Sequence, residues 1–462
     1  MNRLLPLEKA CDFGYDITLL KSVREATLVK PVKLAILGLG TVGGGAVRLL
    51  QDNAAEIARR TGHEIQITHV GSRRPRPDLA LGGVKLSDDL LDIVKQDDVD
   101  IVVEVIGGTT LAHDVVMTAI KHGKHVVTAN KALLAEYGNE IFQAAEAAGV
   151  YVAFEAAVAG GIPIIKVLRE GLSANRIDWL AGIINGTGNF ILTEMREKGR
   201  AFSDVLAEAQ ALGYAEADPT FDVEGIDAAH KLTLLASLAF GIPLQFEKVY
   251  TEGITKLTAE DVTYAEELGY RIKHLGIAKR TDSGFELRVH PTLIPEHRLI
   301  ANVNGVKNAV LVHSNAVGPT LYYGAGAGAG PTASAVVADI VDLVRALGTQ
   351  GSGRVPHLAF QPNALINTPV LAADQMHTAY YLRLSAQDHP GVLSDVTGIL
   401  SRAGINIDAI LQKPIQEKGN VPVIILTQPV LEATMNAAIR EIEALTAIEA
   451  PVVRIRLETL DG

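Results

Sequence analysis

Cysteine is almost absent from this chain of 462 residues, in which Cys11 is the only one. A single cysteine excludes an intramolecular disulfide framework and a cysteine zinc site, and it is typical of a reducing cytoplasm. Basic residues do not predominate either, because the net charge is −11. We therefore expect no nucleic-acid partner and no binding to an anionic membrane surface.

Long apolar runs are also scarce. The first 30 residues carry charges throughout and lack the apolar core of a secretory signal. The longest run, 147–165, contains Glu155 and ends in glycines and Pro163, which favours a buried strand and turn over a membrane span. The 13 histidines show no spacing typical of a transition-metal site. We expect a cytoplasmic protein of about three domains.

What the chain does have, from residue 32, is "VKLAILGLGTVGGGAVRLL", an apolar run followed by a glycine-rich turn and a helical pattern. The glycines match G-x-G-x-x-G between a strand and a helix. Strand-like runs then alternate with helix-like runs, which predicts an α/β fold with a parallel, Rossmann-type sheet over 31–159. The residues expected at the dinucleotide are Gly38, Leu39, Gly40, Thr41, Val42 and Gly43.

The second predicted strand ends in "HVGSRRPRP", where an NAD-binding protein carries an acidic residue for the ribose hydroxyl. Here Arg73 and Arg74 follow Ser72, and the first carboxylate is Asp78. A guanidinium matches the geometry of a phosphate, so the pattern favours NADP(H) over NAD(H), although NAD(H) remains possible.

The pattern changes after this region. Residues 160–350 read as an α+β domain, and residues 351–378 read as a linker rich in glycine, proline and asparagine. Residues 379–462 follow the order strand–helix–strand–strand–helix–strand of a ferredoxin-like βαββαβ domain. The first 30 residues form a separate N-terminal extension to which we assign no function.

The segment "EADPTFDVEGIDAAHK", residues 216–231, places five carboxylates ahead of Lys231. If its end is helical, Asp227 and Lys231 lie one turn apart, a spacing that usually marks a surface ion pair. The helix continues as "LTLLASLAF", however, so it is mostly buried and its lysine must face a partner or a cavity. Whether burial lowers the pKa of Lys231 or Asp227 raises it remains open from sequence.

From about residue 32 to its end the chain resembles homoserine dehydrogenase of the bacterial form with a C-terminal ACT domain. The resemblance rests on "GLGTVGGG", "TANKALLA", "EAAVAGGIPII", "NGTGNFIL", "GYAEADPTFDVEGIDAAHKL", "YGAGAGAGPTASAV" and, in the tail, "QDHPGVLSDVTGILSRAGINI". It implies NAD(P)-dependent interconversion of L-homoserine and L-aspartate 4-semialdehyde, on the route to threonine, methionine and isoleucine. The middle domain is then the catalytic and dimerisation domain.

The resemblance also implies roles for individual residues. Lys231 is expected to be the proton donor and Lys131 a second active-site lysine that contacts both substrate and cofactor. Asp218 and Glu224 are expected to be solvated. The expected substrate ligands are Glu216, Asp227 and Lys131 with Asp222 in support, and the further cofactor contacts are Thr128, Gly213 and Gly328.

Two further sites follow from the same resemblance. Glu155, expected on an apolar strand, would bind a sodium or potassium ion together with the backbone carbonyls of Val158, Gly160 and Ile162. The tail would bind an amino-acid effector, expected to be threonine as a feedback inhibitor, and the chain would form a homodimer or homotetramer. The expected effector contacts are Asp388, His389, Gly391, Val392, Leu393, Asn406 and Ile407.

Two other functions fit parts of the pattern. A non-catalytic sensor of nucleotide and amino acid would use the same two ligand-binding folds, but it would not need paired lysines beside a carboxylate cluster. A dehydrogenase for a different amino acid would keep that cluster, and a substrate screen separates it from the first interpretation.

Overall fold

The computed structural model describes residues 30–74, 76–347, 355–412 and 420–461. The predicted N-terminal extension therefore lies outside the described residues except for Lys30, and so do 348–354, which include the start of the predicted linker. Within these ranges, none of the helices combines the length and the apolar composition that crossing a bilayer requires.

The first region is a parallel sheet of six strands with the spatial order β3-β2-β1-β4-β5-β6. This order is that of the Rossmann fold, and it confirms the predicted parallel α/β sheet. The strands are β1 Val32–Leu37, β2 Ile65–Gly71, β3 Lys85–Ser87, β4 Ile101–Glu104, β5 His125–Thr128 and β6 Val152–Ala153.

Helices connect these strands and cover both faces of the sheet, because the strands β1, β4 and β5 are apolar on both sides and almost wholly buried. The connecting helices are α1 Thr41–Asp52, α2 Ala54–Thr61, α3 Leu90–Ile93, α4 Thr110–Lys121 and α5 Lys131–Ala148.

The middle region begins with a sharp turn rather than with the strand expected around Glu155. That expectation was wrong, since β6 ends at Ala153 and Glu155–Ala157 form a 3-10 turn. The reason lies in the side chain: both carboxylate oxygens of Glu155 accept backbone N–H groups, from Ile165 and Lys166, each at 2.9 Å. The chain therefore folds back around the carboxylate instead of extending along the sheet.

The middle region is α+β, with helices packed on an antiparallel sheet. Its helices are α6 Ile164–Lys166 with a π-helical continuation Val167–Gly171, α7 Gly186–Lys198, α8 Phe202–Ala211, α9 Thr220–Val223, α10 Ile226–Phe240, α11 Ala259–Glu267 and α12 Ala329–Leu347. Its strands are β7 Ile177–Ile183, β8 Tyr250–Thr251, β9 Tyr270–Arg280, β10 Phe285–Pro295, β11 Lys307–Ser314 and β12 Gly318–Ala325. Short 3-10 turns lie at Phe246–Lys248 and Leu299–Asn302.

Helix α12 packs away from the region to which the sequence pattern assigns it. Its apolar side, which includes Ala333, Val336 and Ile340, shares a core with residues of β1 and α1. A Cβ atom on Gly45 of α1 would lie 2.5 Å from the carbonyl oxygen of Ala329, so the two helices approach at backbone distance. The middle region thus reaches back over the first sheet, and the domain boundaries remain a prediction.

The tail has the predicted βαββαβ order. Its elements are β13 His377–Gln387, α13 Val392–Arg402, β14 Ile407–Gln412, β15 Asn420–Thr427, the short β16 Val430–Leu431, α14 Glu432–Glu443 and β17 Val453–Leu457, preceded by 3-10 turns at Pro362–Ala364 and Ala373–Gln375.

The tail does not hang free at the end of a linker. Strand β17 pairs in parallel with β10, so that the second sheet runs β12-β11-β7-β9-β10-β17-β13-β15-β14 through both regions. The middle region and the tail therefore share one continuous sheet.

Candidate active site

The glycine loop lies where β1 and β4 are neighbours and the chain connections diverge, the position at which open α/β sheets bind ligands. Gly38 has φ +102°, and a Cβ there would lie 2.6 Å from the carbonyl oxygen of Val105. A Cβ on Gly43 would lie 1.9 Å from the carbonyl oxygen of Gly38. Gly40 has no atom within 4 Å of the same position. Two glycines thus close the turn, and the third faces space that a pyrophosphate can occupy.

Leu39, Thr41 and Val42 complete this loop and the first turn of α1. A cavity of about 580 Å³ opens beside it at the carboxyl end of β2. Arg73 and Arg74 line the cavity and are exposed. Arg76 also lines it, is partly exposed and donates a hydrogen bond to the Leu39 carbonyl. The guanidinium groups of Arg73 and Arg74 at the outer end of the glycine loop form a positively charged surface suited to a phosphate, whereas that of Arg76 is paired with Asp78.

The acidic segment provides the second half of the site. Asp227 lies in the first turn of α10 and is 5% exposed. Its Oδ2 accepts a hydrogen bond from Lys231 Nζ at 2.6 Å, and its Oδ1 lies 3.3 Å from Lys131 Nζ. Lys231 Nζ also donates to the carbonyl oxygen of Ile184 at 2.7 Å. One buried carboxylate therefore joins the two lysines that sequence placed 100 residues apart.

Asn185 holds the second carboxylate in place. Its Nδ2 donates to Asp222 Oδ1 and to Asp227 Oδ2, each at 2.8 Å, while its Oδ1 accepts the N–H of Gly188 and so caps α7. Asp222 is half-buried and presents its carboxylate beside Asp227. The partly exposed carboxylate of Asp222 is suited to a substrate ammonium group, whereas the buried carboxylate of Asp227 is held by Lys131 and Lys231.

The electrostatics of this group favour proton transfer. Burial lowers the pKa of Lys231 below its usual range; Asp227 opposes this shift and Lys131 adds to it. Burial alone would raise the pKa of Asp227, but Lys231 and Lys131 bring it down to about 2. Burial raises the pKa of Asp222. Asp227 thus stays ionised at neutral pH, while Lys231 gives up its proton more readily than a solvated lysine.

The remaining candidates lie around this centre at different depths. Thr128, at the end of β5, is buried and donates to Glu104 Oε2 at 2.6 Å, and Lys131 follows it at the start of α5. Gly328 immediately precedes α12, which packs on α1. Gly213 and Glu216 are exposed on the loop after α8, outside the hydrogen-bonded group around Asp227, and the Glu216 backbone oxygen accepts from Gln210 at 3.0 Å.

The candidate cation ligands Glu155, Val158, Gly160 and Ile162 lie together in one buried turn. Burial raises the pKa of Glu155 to about 7, and the amide N–H groups of Lys166 and Ile165 oppose that shift. Asp339 of α12 is 5% exposed and accepts the N–H of Glu155 at 2.8 Å. Asp339 thus adds a second carboxyl group beside the buried turn, and oxygen donors of this kind suit a hard cation.

The candidate effector residues fall into two places on the tail. Asp388, His389, Gly391, Val392 and Leu393 line a cavity of about 300 Å³ at the start of α13. Asn406 and Ile407 line a separate cavity of about 550 Å³ that runs alongside that helix, next to Ser394, Thr397 and Ser401. Within one copy of the tail, the two groups of candidate effector residues therefore lie in different cavities.

Sequence reasoning missed Asn185, Phe221 and Arg76. Asn185 begins the string "NGTGNFIL", where an asparagine before a glycine-rich helix start signals a cap rather than a link between carboxylates. Phe221 lies under Lys131, with Nζ 5.8 Å from the ring centre. Arg76 is the third arginine of "RRPR", and its place in that string was the signal that it lines the same cavity as Arg73 and Arg74.

A Rossmann sheet, a lysine–carboxylate site and a βαββαβ tail define an NAD(P)-linked oxidoreductase with an ACT domain. Family models match in the same order: the NAD-binding domain of homoserine dehydrogenase over 38–155, homoserine dehydrogenase over 163–341 and the ACT domain over 380–444. Homoserine dehydrogenase of Pseudomonas aeruginosa is 65% identical over 94% of this chain and 100% of its own, and that of Neisseria gonorrhoeae is 56% identical. The chain belongs to the homoserine dehydrogenase family.

Solved structures agree with this assignment. A homoserine dehydrogenase from Thiobacillus denitrificans is 63% identical and superimposes with a TM-score of 0.89, covering 94% of this chain and 99% of that one. A hyperthermophilic archaeal homoserine dehydrogenase in complex with NADPH is 27% identical with a TM-score of 0.58, and covers 68% of this chain and 97% of that one.

Proposed function

We propose that the chain interconverts L-homoserine and L-aspartate 4-semialdehyde with NADP(H), and that the group around Asp227 is its substrate and proton-transfer site. The observation that carries the proposal is the buried Asp227 carboxylate, which holds Lys131 and Lys231 together beside Asp222. The substrate is zwitterionic, so its ammonium requires carboxylates and its carbonyl oxygen requires a donor. Both are present within one group of side chains.

In this proposal Lys231 moves the proton. When the aldehyde is reduced, negative charge grows on its oxygen and the Lys231 ammonium donates a proton to it; in the reverse direction neutral Lys231 takes the hydroxyl proton. The nicotinamide supplies or accepts the hydride when it is bound. Lys131 orients the substrate, while Asp222 and Asp227, with Glu216 from the adjoining loop, bind its ammonium group.

The cofactor preference rests on the arginines beside the glycine loop. Arg73 and Arg74 would hold the 2′-phosphate of NADP(H), with Arg76 alongside, and NAD(H) would bind more weakly because it lacks that phosphate. The pyrophosphate of the cofactor would lie along the loop residues Leu39, Thr41 and Val42. The rest of the cofactor would contact Thr128, Gly213 and Gly328. The archaeal homoserine dehydrogenase of similar structure binds NADPH, which supports this preference.

A sodium or potassium ion is proposed at the buried turn of Glu155. The carbonyl oxygens of Val158, Gly160 and Ile162 supply neutral ligands, and Glu155 supplies charge. Since Glu155 N–H binds Asp339 of α12, the ion would stabilise the junction between the first sheet and that helix.

Regulation and assembly are proposed from the tail and the middle sheet. Pairing of two ACT domains would bring the Asp388–Leu393 loop of one copy to the Asn406–Ile407 group of another, and threonine would bind between them. Trp179, Leu311, Leu321 and Tyr323 are at least partly exposed on one face of the middle sheet, a surface suited to a homodimer.

The experiment is a steady-state assay of cofactor oxidation with L-aspartate 4-semialdehyde, run with NADPH and with NADH. We expect turnover with both and a lower KM for NADPH, which Arg73→Ala should raise about 10- to 100-fold, as expected for loss of a charged hydrogen bond. Exposed Arg59 on α2 provides the control, as Arg59→Ala. A chain that binds NADPH but turns over only a different amino-acid substrate, or none, would overturn the proposal in favour of another dehydrogenase or of a sensor.

A further inference from the structure

The segment from Tyr250 to Thr255 lies between the ACT domain and the acidic segment that carries Asp222 and Asp227. It starts with β8, which pairs in parallel with β10, and the N–H of Glu252 donates to the carbonyl oxygen of Val289 at 2.8 Å. We call residues 250–255 the bridging segment. Its side chains face the ACT domain at one end and its backbone faces the substrate site at the other.

On the ACT side, one arginine holds the bridging segment. Arg456 of β17 is 1% exposed and donates to Glu252 Oε2 at 2.7 Å and to Tyr250 Oη at 3.0 Å. Tyr250 Oη in turn donates to the same oxygen of Glu252 at 2.8 Å. Glu432 of α14 occupies the other side of the guanidinium, accepting from Nε at 2.8 Å. The two domains thus share a closed, charge-assisted network.

On the substrate side, the same segment supports the start of α10. Ile254 N–H donates to the carbonyl oxygen of Val223 at 2.9 Å, and Thr255 Oγ1 donates to Glu224 Oε1 at 2.8 Å. Glu224, expected to be a solvated loop residue, is a partly exposed turn residue that also accepts this hydrogen bond. A carboxylate that was assigned to solvent joins α9 to the bridging segment.

Gly225 allows the start of α10 to pack closely against this part of the structure. It caps α10 with φ +84°, and a Cβ there would lie 2.9 Å from Val289 and 3.0 Å from His274. The His274 ring is buried, with Nε2 2.9 Å from the carbonyl oxygen of Glu252, to which it donates. The backbone between Asp222 and Asp227 therefore rests directly on the bridging segment.

Packing alone does not hold Glu252. A cleft of about 400 Å³ lies beside it, lined also by Asn436 and Arg454 of the ACT domain. Its carboxylate position therefore depends on the hydrogen bonds from Arg456 and Tyr250. These hydrogen bonds link the ACT domain to the segment whose backbone contacts α9.

We infer that Glu252 and Tyr250 are positioning residues for the substrate site, and that Arg456 of the ACT domain sets the affinity for the amino-acid substrate through them. The inference rests on the proposed function, because it takes Asp222 and Asp227 as the ammonium-binding pair. It also predicts the direction of coupling: disturbance of this contact alters substrate affinity and leaves cofactor affinity unchanged.

The test compares Glu252→Gln and Tyr250→Phe with the wild type in homoserine oxidation, by measuring KM for L-homoserine, KM for NADP and kcat. Tyr250→Phe removes one hydroxyl and keeps the ring, so it serves where Glu252→Gln does not fold. The matched control is Glu260→Gln: Glu260 pairs with Arg383 of the ACT domain at 3.0 Å across the same domain junction but outside the bridging segment.

We expect KM for L-homoserine to rise about 2- to 30-fold in both variants, the range of coupling through packed networks, with KM for NADP unchanged. Glu260→Gln should leave both values at the wild-type level. Unchanged KM for homoserine in both variants, or an equal rise in Glu260→Gln, would overturn the inference alone. Absence of homoserine turnover in the wild type would overturn the proposed function, and this inference with it.

Discussion

Lys231 shows how one side chain can be adjusted by its neighbours. Burial in α10 and the nearby Lys131 lower its pKa, whereas the carboxylate of Asp227 raises it, and the net shift is downward. In the proposed reaction a protonated lysine remains available to donate when the aldehyde is reduced, and it loses its proton at a lower pH than a lysine in water. Asp227 therefore limits how far the pKa of Lys231 falls.

Replacing Asp227 tests that balance. In the pH profile of kcat for homoserine oxidation, we expect the rise to occur about 1–3 pH units lower in Asp227→Asn than in the wild type. The reason is that the variant lacks the negative charge that favours protonated Lys231. The measurement is kcat against pH at saturating homoserine, so that weaker substrate binding does not enter. Asp218→Asn, which alters an exposed turn residue, is the control. A limb that stays in place or moves to higher pH would contradict the assignment of Lys231 as the base.

At this scale sequence reasoning selected the residues but not their contacts. Asp222, Asp227 and both lysines were identified from strings that resemble homoserine dehydrogenase, and the helical spacing of Asp227 and Lys231 followed from their four-residue separation. The contact between Lys131 and Asp227 is long-range and depends on how α5 packs against α10. Asn185 was missed because nothing local distinguishes a helix cap from a bridge between carboxylates.

In the unit formed by β1, the glycine loop and α1, one glycine is needed for close backbone packing and another leaves space for the cofactor. Gly43→Ala places a Cβ 1.9 Å from the Gly38 carbonyl oxygen, so we expect a loss of about 1–3 kcal/mol in the free energy of unfolding together with weaker NADPH binding. Gly40→Ala meets no atom within 4 Å and should fold normally, yet bind NADPH more weakly because the methyl group lies on the approach to the pyrophosphate.

Thermal unfolding and a fluorescence titration with NADPH separate the two effects. The prediction is contradicted if Gly40→Ala is destabilised as much as Gly43→Ala, or if Gly40→Ala binds NADPH as the wild type does. Either result would mean that the open space beside Gly40 is not where the cofactor lies.

Elements with strong local patterns were predictable. The buried strands of the first sheet, the amphipathic α12 and the order of the tail follow from periodicity and turn residues. The segment around Glu155 was not, because alternating apolar residues favoured a strand while one buried carboxylate binds two distant backbone N–H groups and bends the chain. The pairing of β17 with β10 also has no local signal, since it joins strands from different domains.

Over the whole molecule, α12 and the Glu155 turn connect the first sheet to the middle region. Glu155 carries a raised pKa of about 7 against an ordinary value near 4.5, so the folded chain binds its proton more tightly than the unfolded chain. The free energy of unfolding therefore falls as the pH rises from about 4.5 to 7. A bound sodium or potassium ion would offset this loss by stabilising the ionised carboxylate.

Glu155→Gln tests the cation proposal through that pH dependence. In buffers free of sodium and potassium we expect the wild type to lose more thermal stability than the variant between about pH 5 and pH 8. Adding sodium or potassium chloride, with choline chloride as the ionic-strength control, should raise the wild-type Tm at the higher pH and leave the variant unchanged. Equal responses of the two proteins to the ion would contradict a cation bound at Glu155.

The role of Lys231 is tested by NADPH oxidation with L-aspartate 4-semialdehyde, measured for the wild type and for Lys231→Ala. The control is Lys121→Ala, at the exposed end of α4, and NADPH binding is titrated in all three proteins. We expect kcat of Lys231→Ala to fall about 10²- to 10⁴-fold, because a general acid is lost, while the variant binds NADPH as the wild type does. Wild-type turnover in Lys231→Ala would contradict the claim that the group around Asp227 is the proton-transfer site.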